Sequence, residues 1–497
     1  MEKDKEKLDI DLIKTAYKAL KQSLYYDKSN SNISLRQRLI KFESDKKFED
    51  NLNNLLVNLE STNTSNEYFS NLIREISLYI TPKKISLPKD NTKKSNFISN
   101  NVMTDDSYKI DRLSIFIDCP IELHIITVLW IYFIGQKIDS KMSSSIYGNR
   151  LNFNNTKLNK LSLYKPYYSQ YSKWRDDAIE SARFIVEKQK KDTAILTLDI
   201  KDYYYSIAVE KAKLKNSLIS KECGKEDTFD DLDNHEKDIH YLFEKIHEKY
   251  TEKLAKINYP EDNNISSIDL STHFSLPIGL LSSYVIANWY LNDFDEIVEN
   301  KIKPHYYGRY VDDIILVFKE PIMSDDCFCC EPENCIREKY DNLNGMSIIS
   351  KFIVNHFHEA IKVEPIEDNE KDDKENDQKD KIKYILKLNP RKEKFPNTPK
   401  LIVQDKKVFL YFFNHLEPIS VLDKLKKDID IATSEFRFFN DFYLGKENFE
   451  DKVYELQYDG SSRKIITLKD YKVNDFSLSV FLAKKIQNLQ YYNEKSK

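Results

Sequence analysis

The chain has 497 residues, of which 40% are hydrophobic and 32% charged, enough for about three domains with a sizeable core. It contains only 8 glycines and neither a GxGxxG nor a GxxxxGK[ST] sequence, which argues against a glycine-rich nucleotide-binding loop. The formal net charge of −4, taken as an average, argues against a protein that binds nucleic acid.

No segment is typical of a membrane span or a secretion signal. The longest uncharged apolar run is residues 125–134, whereas a spanning helix needs roughly 20 residues. The N-terminal sequence lacks the apolar core of a signal peptide. Six cysteines in a chain of this length suit a reducing compartment better than a disulfide framework. We therefore expect a soluble intracellular protein with no membrane partner.

In chain order, residues 1–110 are predicted to be helices joined by polar loops, because apolar residues recur there at helical spacing. A short strand is predicted at Leu113–Ile117, and the apolar run at 121–135 is predicted to be a buried helix. Further on, a helix at Asp176–Lys190 leads into a short apolar run at Ala194–Leu198 that is typical of a strand.

The charge is distributed unevenly along the chain. Residues 221–238 and 367–380 each contain eight acidic residues and three lysines, and we expect both to be exposed insertions without a core. Since each carries −5, the rest of the chain carries +6. Residues 381–407 contain nine Lys or Arg and two acids. This basic stretch favours contact with a polyanion, and an ordinary solvated surface is the alternative.

Two adjacent carboxylates in Tyr310-Val311-Asp312-Asp313 are the most informative feature. Apolar residues follow at Ile314–Phe318, so the pattern predicts a β-hairpin with both acids at its tip. Neighbouring buried carboxylates repel each other, and a divalent cation such as Mg²⁺ offsets that cost. The alternative is that the two acids are simply turn residues, which Asp commonly is.

A third carboxylate, Asp199, ends the predicted strand at Ala194–Leu198. An acid at a strand end, opposite a hairpin that carries two more, suits a site for two metal ions roughly 3.5–4 Å apart. A further segment, Leu276–Ser283, contains a Pro-x-Gly turn that enters an apolar helix. Gly279 has no Cβ, so this backbone can lie close against a flat base pair. An ordinary loop-to-helix transition is the alternative for that segment.

Four cysteines lie close together just after the predicted hairpin: Cys327, Cys329, Cys330 and Cys335. Four thiolates can hold a structural Zn²⁺ ion. The CxCCx4C spacing differs from a standard zinc knuckle, which favours reduced loop cysteines over zinc.

Three segments resemble, in the correct order, motifs A, B and C of reverse transcriptases. They are LDIKDYYYSI, LPIGLLSSYVIANWYLNDFD and YYGRYVDDIILVF, and they define motif regions at 194–207, 275–292 and 307–318. Residues 388–394 resemble motif D less closely. The resemblance implies an α+β right-hand polymerase made of fingers, palm and thumb. A helical N-terminal extension would occupy 1–110, fingers and palm 111–400, and the thumb with a C-terminal helical region 401–497.

The same resemblance implies a role for individual residues. Asp199, Asp312 and Asp313 would be the catalytic acids, and together with Ile200 they would hold two Mg²⁺ ions, for which Mn²⁺ can substitute. Tyr204 lies at the position of the steric gate that excludes a 2′-hydroxyl. The other candidates for substrate binding are Gly279, Arg150, Lys173, Arg175 and Lys392. Residues 409–412 resemble the hairpin that holds the primer end.

Among reverse transcriptases, the sequences of these motifs are similar to those of bacterial antiphage enzymes of the abortive-infection and defence-associated lineage. This implies a cytoplasmic enzyme that makes DNA from dNTPs, either directed by an RNA template or a non-coding RNA, or without a template. Only 59 residues follow Phe438, too few for the helical-repeat domain common in that lineage. Oligomerisation through such a domain is therefore not expected. The expected partner is instead a second copy of the chain or a separate protein. A diversity-generating retroelement enzyme and a non-catalytic RNA-binding scaffold are the alternatives.

Overall fold

The computed structural model describes residues 7–26, 32–61, 66–86, 109–217, 220–222, 225–227, 229, 232–257, 259, 268–321, 348–365, 382–386, 401–404 and 407–416.

These residues form a mixed helix-and-strand protein, as the predicted α+β class requires. The helices are α1 (Ile10–Tyr26), α2 (Ile33–Ser44), α3 (Phe48–Glu60), α4 (Glu67–Arg74), α5 (Ile121–Trp130), α6 (Gln136–Asp139), α7 (Tyr167–Phe184), α8 (Lys211–Asn216), α9 (Asn234–Ala255), α10 (Ser282–Tyr290), α11 (Asn292–Ile297) and α12 (Ile348–Phe357). The strands are β1 (Ser77–Ser86), β2 (Lys109–Asp118), β3 (Phe153–Asn154), β4 (Lys157–Leu158), β5 (Thr193–Asp199), β6 (Ala208–Glu210), β7 (Ser220–Glu222), β8 (Lys225–Asp227), β9 (His273–Ser275), β10 (Tyr306–Tyr310), β11 (Asp313–Lys319), β12 (Ile361–Pro365), β13 (Ile382–Leu386) and β14 (Phe409–Phe413).

The chain divides into two compact units. The first contains Met1–Gly135 and Val209–Ser283, and the second contains Gln136–Ala208 and Tyr284–Lys497. Segments that are distant in sequence thus contribute to the same unit, and the predicted boundaries near residues 110 and 400 stay predictions.

The first unit is built around α5, which packs against α1 and α9. Almost every residue of α5 is buried, as the apolar run predicts. Trp130 stacks on Phe243 of α9 with 4.2 Å between ring centroids, and its indole N–H donates to Nδ1 of His240 at 3.1 Å. His124 is also fully buried in α5, and neither of its ring nitrogens has a hydrogen-bond partner among the described residues.

Two predictions for this unit are wrong in part. Residues 77–86 fall in the region predicted to contain helices and polar loops, but they form β1, which pairs with the correctly predicted strand at Leu113–Ile117 within β2. The acidic segment 221–238, expected to be an exposed insertion, contains the short β7–β8 hairpin and the start of α9. Its acids at Asp233 and Glu236 form a capping box at the helix N-terminus, where negative charge is favourable.

The second unit contains a four-stranded antiparallel sheet in the order β10-β11-β5-β14. The predicted strand at Ala194–Leu198 lies within β5, and the predicted hairpin is β10–β11. Helix α7 packs against β10, β11 and β5. It begins earlier than the predicted Asp176–Lys190 helix, at Tyr167, and a π-helical turn at Ile185–Gln189 follows it. Phe318 of β11 also packs on Phe352 of α12, with 5.3 Å between ring centroids.

One helical stretch among the described residues, Ile121–Asp139, is long and apolar enough to cross a membrane, and 83% of its apolar window is buried inside the protein. A buried stretch of this kind is also typical of a core helix in a soluble protein.

Replacing His124 with Leu is expected to stabilise the fold and to reduce its sensitivity to acid. Burial lowers the pKa of His124 from 6.5 to about 4, so below pH 6.5 the unfolded chain takes up a proton that the folded protein does not. Stability is therefore lost as the pH falls from about 6.5 towards 4. His124→Leu removes that loss and two unsatisfied ring nitrogens, a gain of about 1–3 kcal/mol at neutral pH. Urea denaturation at pH 7.5 and at pH 5 measures both effects.

The matched control is His124→Gln, which keeps a polar side chain and does not titrate. It should show the weaker pH dependence without the gain at pH 7.5. Burial also lowers the pKa of His247 to about 4, so part of the acid sensitivity remains in both variants. An unchanged pH dependence in both would contradict the role of His124.

Candidate active site

Three acidic residues that are far apart in sequence lie together at one end of the four-stranded sheet. Asp199 is the last residue of β5, Asp313 is the first residue of β11, and the two are direct partners in the antiparallel register. Asp312 lies in the turn between β10 and β11, and its carbonyl accepts a hydrogen bond of 3.3 Å from the N–H of Ile200. Direct partners in such a ladder have Cα atoms roughly 4.5–5.5 Å apart. Strand pairing thus brings the predicted catalytic acids together.

Burial and the two neighbouring carboxylates raise the pKa of Asp313 by more than the positive charge of Lys407 lowers it. Burial raises the pKa of Asp313 well above its usual range, and the charges of Asp312 and Asp199 raise it further. Lys407 opposes this effect, since its Nζ lies 2.8 Å from Oδ2 of Asp199. Burial by itself would lower the pKa of Lys407, but the attraction of Asp199 holds it above its ordinary value. The repulsion that remains at Asp313 is one that a bound cation would offset.

The acids do not form a preassembled metal cage. Within the part of the chain that the structure describes, no group of three or more His, Cys, Asp or Glu side chains is arranged to hold a metal ion. Carboxylate oxygens are nevertheless the ligands that Mg²⁺ prefers, and such an ion would relieve the repulsion around Asp313. The residues present therefore fit Mg²⁺ by their chemistry. Ile200, the fourth predicted member of the metal set, is buried and pairs with Val403.

The turn that carries Asp312 has a strained backbone. Val311 has a φ of 59°, and a β-branched residue in this left-handed region costs about 1–3 kcal/mol. Gly148 packs directly against it, because a Cβ on Gly148 would lie 2.9 Å from the backbone nitrogen and from Cγ2 of Val311. The strained turn therefore depends on the missing side chain at position 148.

Tyr204 lies in a 3-10 turn at Tyr203–Ser206, shortly after β5. Its hydroxyl is buried and has no hydrogen-bond partner among the described residues. Burial raises the pKa of Tyr204 well above its usual range, and the nearby Tyr284 and Asp312 add to this effect. The hydroxyl consequently stays protonated.

Gly279 belongs to the first unit, where it follows the residue that pairs with β2. The carbonyl of Ile278 accepts a hydrogen bond of 2.9 Å from the N–H of Ile117. Gly279 has a φ of +110°, a conformation that other residues rarely adopt, whereas a Cβ there would make only ordinary contacts of 3.5 Å or more. Backbone conformation therefore accounts for this glycine, and its predicted contact with a base pair stays a prediction.

The predicted triphosphate-binding residues lie in different surroundings. Arg150 donates to the side chain of Asp139 at 3.1 Å and to the carbonyls of Asp139 and Ser143 at 2.9 and 2.7 Å, so it braces its own loop. Arg175 is buried beside Asp176, with 3.0 Å between its Nε and the carboxylate. Lys173 is exposed. Their contact with a triphosphate stays a prediction, and the contacts of Arg150 favour a structural role for that residue.

Several predictions fall outside the described residues. These are Lys392 with the motif D segment at 388–394, the four cysteines of the zinc hypothesis, the acidic segment at 367–380, and most of the predicted thumb, from residue 417 onwards.

Sequence reasoning missed Lys407 as a site residue. It belongs to the basic stretch at 381–407, in which nothing distinguishes it from eight other Lys or Arg residues. The carbonyl of Asp199 accepts from the N–H of Gln404 at 2.7 Å, and this pairing brings the segment beside β5. The position immediately before the apolar strand β14 is the signal that could have singled it out.

Comparison with known proteins identifies no relative: no protein-family model matches the chain, and no curated protein is significantly similar to it.

Removing the charge of Lys407 is expected to destabilise the protein and to make its stability depend more strongly on Mg²⁺. The Lys407–Asp199 pair is partly buried, with side-chain exposures of 27% and 10%, so Lys407→Met should cost about 1–3 kcal/mol, between the values for exposed and buried pairs. Because the variant leaves more negative charge at the acids, millimolar Mg²⁺ should recover more stability than in the unaltered chain. Denaturant unfolding with EDTA and with Mg²⁺ measures both.

Lys191→Met is the matched control, because it breaks the exposed Lys191–Glu320 pair at the other end of the sheet. We expect little or no loss of stability, because an exposed ion pair is screened by solvent, and no added response to Mg²⁺. If Lys407→Met and Lys191→Met lose the same stability and respond equally to Mg²⁺, the proposed balance of charge between Lys407 and the acids is wrong.

Proposed function

We propose that this protein is a reverse transcriptase with a right-hand polymerase fold, which extends a hydroxyl primer with dNTPs by nucleotidyl transfer. The observation that carries the proposal is the pairing of Asp199 with Asp313 beside Asp312 in the hairpin turn. Acids from two separate strands meeting at one sheet end suit the two-metal chemistry of polymerases. The order of the three motifs along the sequence adds independent support.

The second unit has the parts expected of a palm. Its antiparallel sheet carries the motif A strand β5 and the motif C hairpin β10–β11 next to each other, and α7 covers one face. In this assignment the helices before the sheet belong to the N-terminal extension and fingers, and the thumb follows the sheet. The mixed helix-and-strand architecture is compatible with this arrangement.

The reaction needs a hydroxyl to lose its proton and a triphosphate to lose pyrophosphate. Mg²⁺ bound by Asp199, Asp312 and Asp313 would lower the pKa of the attacking hydroxyl and neutralise charge on the leaving group. The backbone pairing of β5 with β11 holds these carboxylates at one place before any ligand arrives. By its resemblance to the steric gate of reverse transcriptases, Tyr204 would clash with a 2′-hydroxyl, which favours dNTPs over ribonucleotides.

Strand β14 is suited to contact with a primer. It is an edge strand of the sheet and pairs with β5, the strand that ends at Asp199. Phe409 and Phe412 are 36% and 43% exposed, and Phe409 stacks on Tyr411 with 6.2 Å between ring centroids. Exposed aromatic rings provide stacking surfaces for bases or sugars. The basic stretch at 381–407 would supply salt-dependent contacts with the phosphate backbone.

The cellular role we propose is antiphage defence in the bacterial cytoplasm, with an RNA template or a non-coding RNA as partner. This proposal rests on the resemblance of the motif sequences to those of abortive-infection and defence-associated enzymes.

Asp312→Asn is expected to abolish nucleotide incorporation while leaving the fold intact. Loss of one metal-binding carboxylate should remove several kcal/mol of transition-state stabilisation, or about 10³-fold in rate. Incorporation of labelled dNTPs is measured with no template, with a homopolymer RNA and primer, and with nucleic acid that co-purifies with the protein. The control is Asp202→Asn, at a left-handed position that Asn also tolerates, which should keep its activity.

The three template conditions distinguish the versions of the proposal. Product that requires RNA identifies an RNA-directed enzyme, and product without any template identifies template-independent synthesis. If the unaltered chain yields no product under any condition, the enzyme proposal is wrong and a nucleic-acid-binding scaffold replaces it.

Tyr204→Ala is expected to reduce discrimination against ribonucleotides by about 10- to 100-fold, the range typical of steric selection in a pocket. The ratio of kcat/KM for dNTP and NTP measures this. Tyr204→Phe keeps the ring and should keep the selectivity, because the gate depends on volume and not on the hydroxyl. Equal selectivity in Tyr204→Ala and the unaltered chain would exclude Tyr204 as the gate.

A further inference from the structure

A buried ion pair joins β10, the first strand of the hairpin that carries the acids, to α11. Arg309 of β10 and Asp295 of α11 are 0% and 1% exposed. Nε of Arg309 donates to Oδ1 of Asp295 at 2.8 Å and Nη2 donates to Oδ2 at 2.7 Å, a bidentate pair. Burying two charges costs several kcal/mol per ion, so such a pair adds little net stability compared with apolar side chains. Its remaining contacts indicate what it does.

Each of the five N–H donors of Arg309 has an acceptor. Beyond Asp295, Nη1 donates to the carbonyl of Val311 at 2.9 Å and to the side-chain carbonyl of Asn288 at 3.2 Å. Nη2 donates to the backbone carbonyl of Asn288 at 3.0 Å. The guanidinium is therefore held in one orientation, with one of its bonds directed at the strained turn residue.

The same network reaches the turn from the opposite side. The side-chain amide of Asn288 donates to the carbonyl of Gly148 at 2.7 Å, and Gly148 packs against Val311. The backbone of Arg309 also pairs with this loop, because Tyr147 N–H donates to the Arg309 carbonyl at 2.8 Å. Val311 thus contacts both Arg309 and Gly148, and Asn288 bonds to each of these two residues.

We propose that Arg309 is the positioning residue of the hairpin: braced by Asp295 and Asn288, it holds the carbonyl of Val311 and thereby keeps Val311 in the left-handed conformation that orients Asp312 and Asp313. The inference rests on the proposed function, since it assigns those two acids to metal and substrate. A guanidinium suits this role because its rigid fork can bond several acceptors at once, which a Lys ammonium on a flexible stem cannot do in the same geometry.

Arg309→Lys tests the proposal, because it keeps the charge against Asp295 and loses the fork. Mn²⁺ affinity of the nucleotide-free protein is measured by electron paramagnetic resonance, and dNTP incorporation is measured in parallel. We expect Mn²⁺ affinity and kcat each to fall about 10- to 100-fold, the usual effect of losing a residue that orients metal ligands. The KM for dNTP should change less than threefold, and circular dichroism should show a folded protein.

Tyr307→Phe is the matched control. The Tyr307 hydroxyl donates to the same Asp295 carboxylate, so its removal takes one hydrogen bond from the buried carboxylate and leaves the bond from Arg309 to Val311. It should lower stability and keep Mn²⁺ affinity and kcat. Val311→Gly in the Arg309→Lys background should recover part of the Mn²⁺ affinity, because glycine adopts the turn conformation without strain.

The outcomes distinguish failure of the proposed function from failure of the positioning role of Arg309. If the unaltered chain neither binds Mn²⁺ at Asp312 nor incorporates dNTPs, the proposed function fails and the inference with it. If the unaltered chain does both, and Arg309→Lys matches Tyr307→Phe in Mn²⁺ affinity and kcat, only the inference is overturned. Should Arg309→Lys fail to fold, Asn288→Ala removes the brace and keeps the ion pair, and it should lower Mn²⁺ affinity in the same direction. An unchanged affinity in that variant overturns the inference.

Discussion

The structure of the site depends on one constraint, the antiparallel register between β5 and β11. Because Asp199 and Asp313 are direct partners in this ladder, two carboxylates must face a common region at the end of the sheet, and the hairpin turn adds a third. Electrostatics alone opposes this arrangement, and the raised pKa of Asp313 expresses that cost. The backbone bonds and apolar packing of the sheet hold the acids together in spite of their repulsion.

The interactions around the acids serve to hold that unfavourable arrangement. Lys407 contributes positive charge at Asp199. In the hairpin, Arg309 donates to the carbonyl of Val311 and Gly148 packs against its nitrogen and Cγ2, and the backbone conformation of Val311 is itself strained. Strained backbone and buried charge in one small region reduce stability, and proteins keep such features where function requires a fixed geometry. The neighbouring apolar core, formed by α7 and the central strands, provides the stability that offsets these costs.

The segments that sequence reasoning predicted well are those with strong local signals. The apolar run at 121–135 forms a helix because its residues can all be buried, and the hairpin at 307–318 forms because two apolar runs flank a turn. The strand at residues 77–86 was missed within a region predicted to contain helices and polar loops, since it forms by pairing with a partner more than 20 residues away. The acidic start of α9 was mistaken for an insertion because capping acids and solvated acids have the same composition.

By itself, the sequence determined the identity of the acids, the local elements that carry them and the order of the motifs, because these follow from residue type and short-range spacing. Only the tertiary structure decided which other side chains face those acids. Lys407, Asp295 and Asn288 look like ordinary polar residues in the sequence, and Arg150, which looks like a substrate ligand, braces its own loop. Strand register and helix packing bring these residues together across sequence separations of up to 208 residues. A local sequence pattern cannot predict a contact between residues so far apart in the chain.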